Sequence, residues 1–286
     1  MNLYKIDGGI GKNIAFTGLI KELVERDGNI CIESAYPEIF MGCPGVSMVY
    51  HSAEGKDMRK FYSYFDDVYA WDPYIGNMWK GDVHVVDAWA NMLGLPKKDL
   101  ETRIPVLYAK ITEDEKAAID KQLGDGKFYV MQISGGQSPY DIKDVNNLPA
   151  YERNHMRTGR NMGMIDPLFE GLTKEFSDYK MVQFGLPNEP KLKGAIQLQL
   201  NVIQWMYVFS KADFFVGIDS MMQHYMASIN KPGIVFWDMN TPEQFGWKYD
   251  GRFNYNTSMP NGVHVNKELA DKAINDLKGF LETEPV

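Results

Sequence analysis

Two stretches of this sequence place small and polar residues where a strand gives way to a helix. The first is Gly8-Gly9-Ile10-Gly11-Lys12-Asn13. Backbone N–H groups and the dipole at a helix start favour an anion there, and absent side chains let a substrate approach the main chain closely. The spacing fits neither the GKS/T phosphate loop nor G-x-G-x-x-G. The stretch therefore reads equally as a tight structural turn or as a substrate loop. The second runs from Phe215 through Gly217-Ile218-Asp219-Ser220 to His224, followed by Ala227 and Lys231-Pro232. Asp219 and Ser220 fall at the carboxyl end of a predicted strand, where ligands sit in open α/β sheets. The alternative is that one of them merely caps the helix that follows. His51, His84 and His155 lack metal-ligand spacing, and no G-x-S-x-G elbow occurs, so zinc chemistry and a Ser-His-Asp hydrolase find no support.

The elements that must position these residues alternate between strand and helix. Leu3 to Asp7, the glycine turn and a helix over Asn13 to Arg26 lead to a strand at Asn29 to Ser34, a βαβ opening that favours a parallel sheet. Ser47 to His51 offers a third strand. Residues 57–87 give no clean period and read as loops and short helices. His84 to Leu93 reads as a helix, stopped by Gly94 and Pro96. Residues 101–126, with a charged helix at Glu113 to Leu123, read as the passage between an N-terminal domain, 1–120, and a C-terminal domain, 121–286. The second domain opens with a strand at Phe128 to Ile133 and a glycine turn, Ser134-Gly135-Gly136, before a polar insertion at Pro139 to Thr158. A helix (Asp166 to Phe176), a strand (Lys180 to Phe184), a helix (Gln197 to Ser210), a strand (Phe214 to Ile218), a helix (Met221 to Ile229) and a strand (Gly233 to Trp237) follow. The amphipathic helix Lys267 to Leu281 is expected to cap or bridge the domains.

A chain of 286 residues suits two α/β domains. Its net charge of -8 argues against a broad basic face for nucleic acid or anionic lipid. Two cysteines, Cys31 and Cys43, are too few for a disulfide framework or a zinc site, so they read as buried thiols in a reducing compartment. With no apolar signal region and no long apolar run, the protein is expected to be cytoplasmic.

The segments GGIGKNIAFTGLIKELVER (8–26), HVVDAWANMLGL (84–95) and ADFFVGIDSMMQHYMASINKPGIVFWDMNTPEQFGW (212–247) together resemble glycosyltransferase family nine, the lipopolysaccharide heptosyltransferase-like group. The resemblance spans most of the chain in the right order. It implies a GT-B fold, two Rossmann-like domains with parallel sheets facing across a cleft. It also implies metal-independent, inverting transfer of a sugar from a nucleotide-diphosphate sugar, held by the C-terminal domain, to a hydroxyl acceptor. Asp219 then matches the donor-binding aspartate, with Ser220 and His224 beside the sugar and diphosphate and Thr241 on the nucleotide side. Ser134 and Gly135 match the turn that opens the donor domain. Arg160 takes the place of a basic residue that neutralises the leaving diphosphate. Gly9 and Gly11, in the first loop, are expected to bind the donor as well. The donor is a co-substrate, and no separate cofactor is implied.

Two departures stand out. Where the family has Gly-Asp in the first loop, with that aspartate as general base, this chain has Gly11-Lys12, and a charged lysine cannot accept a hydroxyl proton. Asp7 is the nearest replacement, although an Asp before Gly-Gly also suits a turn. Lys12 is then left to contact a phosphate or a charged acceptor. Where the family has Asp-Ser-Gly, this chain has Asp219-Ser220-Met221, with a bulky residue beside the donor. The acceptor expected from the resemblance is a glycan or lipopolysaccharide. A hydroxymethylated pyrimidine in DNA, modified by viral enzymes of this fold, is an alternative that the acidic net charge weighs against. A nucleotide-sugar-binding module that has lost its base is the non-enzymatic rival.

Overall fold

The computed structural model describes every residue except 53–57, 75–82, 136–159, 163–164, 186–190, 239, 258–262 and 284–286, and gives only the backbone of residues 58, 59, 160 and 161. Gly136 and the insertion at Pro139 to Thr158 therefore lie outside the described residues. The chain forms two compact units, Met1–Thr112 with Glu243–Trp247, and Glu113–Pro242 with Lys248–Val286.

The first unit is built on four parallel strands, β1 (Leu3–Ile6), β2 (Ile30–Ser34), β3 (Val46–His51) and β4 (Val68–Tyr69), in the order β3-β2-β1-β4. Helix α1 (Ile10–Phe16) starts three residues earlier than the sequence suggests, a 3-10 turn at Thr17–Leu19 interrupts it, and α2 (Ile20–Asp27) completes the crossover. The interruption has a local cause. Thr17 Oγ1 donates back to Ile14 O at 2.7 Å, and Gly18 lies so close to the Arg103 carbonyl that an added Cβ would stand 2.0 Å from it. Helices α3 (Met58–Tyr62) and α4 (Val85–Met92) follow, the latter capped by His84.

Buried Arg103 holds this unit together. Its guanidinium donates to both oxygens of Glu22 at 2.8 and 3.1 Å, to Asp87 at 2.9 Å and to the Pro96 carbonyl at 2.6 Å. These bonds keep the Glu22 carboxyl below its ordinary range. The core packs Phe16 edge-on against Trp89 at 5.1 Å and stacks Tyr4 on Tyr69 at 4.8 Å. Both cysteines are buried and free, as expected.

The second unit begins with α5 (Glu113–Leu123) and β5 (Phe128–Met131). Ser134–Gly135, expected as a turn, is a two-residue strand β6 paired antiparallel with β7 (Arg160–Asn161). Then come α6 (Asp166–Glu175), β8 (Lys180–Gln183), β9 (Ile196–Gln197) and α7 (Val202–Lys211). The helix expected from Gln197 starts only at Val202. Asn201 and Gln204 form a reciprocal capping box there, which leaves residues 196 and 197 to the sheet. The unit continues with β10 (Phe214–Ile218), α8 (Met221–Ser228) and β11 (Gly233–Trp237); the chain then passes through the single turn α9 (Pro242–Phe245), whose residues from Glu243 on belong to the first unit, before β12 (Arg252–Asn256) and α10 (Lys267–Thr283) complete the second.

Its six strands run parallel in the order β12-β11-β10-β5-β8-β9. Counted by first appearance this is 6-5-4-1-2-3, the dinucleotide-binding order. β10 and β11 are buried along their whole length, as parallel strands covered on both faces must be. Helix α10 packs within this unit, where Ala270, Ala273, Ile274 and Leu277 join the core cluster. Among the described residues no helix is long and apolar enough to cross a membrane.

Candidate functional site

In the second unit the chain reverses direction across the sheet between β5 and β10, and ligands of open α/β sheets bind outside the carboxyl ends of the strands at such a point. The residues after these two strands meet there. Gln132, buried at the end of β5, donates through Nε2 to the Ser134 carbonyl and to Ser220 Oγ, both at 2.9 Å. Its Oε1 is buried and takes no hydrogen bond. Gly135 passes so close to Ser220 that an added Cβ would lie 2.7 Å from Oγ and 2.9 Å from Cβ. A glycine here therefore has a steric reason, whether or not a ligand binds.

Asp219 is buried at the end of β10, and its Oδ2 accepts from Asn240 Nδ2 at 2.5 Å. Asn240 belongs to the loop after β11, so one carboxylate ties two neighbouring strand ends together. Half-buried Thr241 is the next residue. Ser220 takes the N-cap position of α8 in an extended conformation without a side-chain cap, so this hydroxyl does not occupy the helix's first N–H groups.

One turn into α8 lies a buried polar chain. Arg252 of β12 donates to Gln223 Oε1 at 2.7 Å and to the Gln223 carbonyl at 3.3 Å, and its guanidinium stands 5.2 Å from the Phe215 ring. With Oε1 so engaged, the Gln223 amide nitrogen faces His224 Nε2 at 3.1 Å as a donor. That orientation makes Nε2 an acceptor and assigns the His224 proton to Nδ1. Burial pushes the Arg252 guanidinium below its ordinary range, and the neighbouring Asp219 carboxylate opposes that shift. The Arg252 charge and the N-terminal end of the α8 dipole thus lie close to Asp219 and Ser220, a field that suits an anion.

The first unit has its own strand reversal, between β1 and β4. Gly8 adopts φ +104°, a conformation that favours glycine, and Gly9 caps α1 in an extended conformation. Gly11 lies inside the first turn of α1. Asn13 locks the loop, donating to Gly9 O at 3.0 Å while its Oδ1 accepts from Ser34 Oγ at 2.7 Å. Asp7 stays exposed, 60% of its side chain open and its carboxylate 3.6 Å from Lys5 Nζ. Lys12 is buried, with Nζ 2.7 Å from Asp72 Oδ1 and 4.5 Å above the Tyr74 ring.

Of the residues singled out from the sequence, Ser134, Gly135, Asp219 and Ser220 come together at one switch point, with Thr241 and His224 on adjoining segments. Asp7, Gly9, Gly11 and Lys12 gather at the other. Only the backbone of Arg160 is described, in β7 beside Gly135. Sequence reasoning missed Gln132, Asn240, Arg252 and Asp72. A polar residue closing the apolar run of β5 was the one available signal, for Gln132. Among the described residues no three His, Cys, Asp or Glu side chains cluster as metal ligands.

The chain thus carries two Rossmann-like α/β units, each with a polar cluster at the reversal point of its parallel sheet. No family model matches the chain, and no curated protein matches it significantly in sequence. Among solved structures it is similar to the ADP-heptose lipopolysaccharide heptosyltransferase II of E. coli, with TM-score 0.61 and 15% identity over 100% of this chain and 99% of that one. A family 9 glycosyl transferase from Veillonella parvula gives TM-score 0.62 and 13% identity over 99% and 96%. The iron-containing dodecameric glycosyltransferase TibC of enterotoxigenic E. coli gives 0.68 and 11% over 100% and 80%. At these identities the likeness establishes the fold.

Proposed function

We propose that this chain is a GT-B glycosyltransferase of the heptosyltransferase-like family nine group, which transfers a sugar from a nucleotide-diphosphate donor to a hydroxyl acceptor. The observation that carries the reading is the junction of the β5 and β10 ends, where Gly135, Ser220, Asp219 and Gln132 interlock at the switch point of a sheet in dinucleotide-binding order. The structure of TibC in complex with ADP-D-beta-D-heptose, similar at TM-score 0.64 and 11% identity, makes an adenosine-diphosphate sugar the first donor to try.

In this proposal Asp219, fixed by Asn240, positions the donor sugar, and Ser220, His224 Nδ1–H and the α8 amides face sugar and diphosphate. Arg160 and Thr241 serve the leaving diphosphate and the nucleotide side. Preorganised donors of this kind act where negative charge develops as the phosphate leaves. Transfer is a single in-line displacement with inversion and without a metal, and the acceptor is a glycan of lipopolysaccharide type. The test is to incubate the protein with ADP-heptose and a panel of other nucleotide sugars, with sugar acceptors present, and to follow free nucleotide and product anomeric configuration by NMR. Release of nucleotide from one donor with an inverted product is expected. No release from any donor contradicts the proposal.

A further inference from the structure

We propose that Asp72 is the general base of this transferase, the carboxylate that the first loop itself does not carry; the inference rests on the transferase reading above. Lys12, in the first turn of α1, and Asp72, in the segment after β4, follow the carboxyl ends of adjacent strands, β1 and β4, at the switch point of the first unit's sheet. The two ends of the pair differ in exposure. The Lys12 side chain is 4% exposed and that of Asp72 is 32% exposed. What the pair presents outward is therefore a carboxylate, although the sequence places a lysine in the first loop.

The surroundings hold that carboxylate in place. Gly8 lets the Lys12 stem lie across the loop, since an added Cβ would come within 2.9 Å of Lys12 Cδ. The Tyr74 N–H donates to the same Asp72 Oδ1 at 3.0 Å, and Trp89 Nε1 donates to the Trp71 carbonyl at 3.1 Å, which fixes the residue before. Both bonds to Asp72 fall on Oδ1, leaving Oδ2 without a bonded partner among the described residues. Trp71, the preceding residue, is half exposed at 50%, and an exposed indole is a surface against which a sugar can pack.

In the step proposed, the acceptor oxygen attacks the anomeric carbon of the donor as its proton passes to Asp72 Oδ2. The bond from that carbon to the phosphate oxygen breaks, and the nucleoside diphosphate leaves with the electron pair. Asp72 then returns the proton to water.

The test measures ADP release from ADP-heptose, with mono- and disaccharide acceptors or water, alongside calorimetric ADP binding. Three variants are compared with wild type: Asp72→Asn, the double variant Lys12→Met with Asp72→Asn, and Asp7→Asn. General-base loss lowers kcat by about 10²- to 10⁴-fold. Asp72→Asn is expected to show that loss with ADP affinity unchanged and without the acid limb of the kcat pH profile. The double variant, which removes the buried charge with its partner, is expected to melt as wild type does and to stay slow. Turnover by the double variant within a few-fold of wild type would show that Asp72 is only a counter-ion, and would overturn the inference while the transferase reading stands. So would a comparable loss confined to Asp7→Asn. A wild-type protein that neither binds ADP nor releases it refutes the transferase reading, and this inference with it.

Discussion

Replacing His84 with Asn is expected to change the acid sensitivity of the first unit. The His84 ring is buried, 4.7 Å from the Trp247 ring, with Nδ1 accepting from the Val86 N–H as the cap of α4. Nε2 lies beside the Phe245 and Gly246 main chain without a well-formed hydrogen bond. Burial pushes the imidazole down to about 4 from its ordinary 6.5. Between those values the unfolded chain binds a proton that the folded chain refuses, so stability rises with pH across that window. The contribution is fully present above about 6.5 and is lost as pH falls toward 4. At roughly 1.4 kcal/mol for each tenfold step in proton affinity, it amounts to about 3 kcal/mol. Asparagine keeps an N-cap acceptor but does not titrate. Urea unfolding followed by tryptophan emission, at steps from pH 7.5 to 4, should show the wild type losing about 3 kcal/mol relative to His84→Asn. Other titrating groups cancel in that difference. Parallel pH curves for the two proteins would refute the reasoning.

Gly135→Ala should force Ser220 away from the strand end, since its Cβ would stand 2.7 Å from Oγ. We expect a cost of about 1–3 kcal/mol in urea unfolding and, with the junction displaced, at least roughly tenfold weaker nucleotide binding by calorimetry. Arg103→Met strands the buried Glu22 carboxylate, with Lys98 at 3.4 Å as its remaining ion-pair partner, and should cost about 3–5 kcal/mol by the same unfolding measurement. Loss of less than about 1 kcal/mol would show that the network is solvated.

Local pattern accounts for what the sequence made legible. The apolar runs Phe214 to Ile218 and Gly233 to Trp237 are strands at the residues expected, because a doubly covered parallel strand is apolar throughout. The charged helix Glu113–Leu123 also matches. Besides the antiparallel pair Ser134–Gly135 and Arg160–Asn161, the parallel strands that escaped, Val68–Tyr69, Ile196–Gln197 and Arg252–Asn256, are short or polar and exist because a neighbouring strand offers its edge. The site divides in the same way. Asp219 and Ser220 were readable as a strand end meeting a helix start. Gln132 reaches Ser220 across 88 positions and Asp72 reaches Lys12 across 60, so no local period could have joined them. Those long-range partners change the meaning of the first loop, because the lysine that seemed to remove a base arrives with a carboxylate attached.

The most direct test of the donor site is calorimetric titration of the protein, and of Asp219→Ala, with nucleoside diphosphates and their sugars. The account predicts selective binding of one nucleoside diphosphate family, lost or much weakened in Asp219→Ala while the melting temperature stays close to that of wild type. Absence of binding to every member, or equal binding by Asp219→Ala, would contradict it.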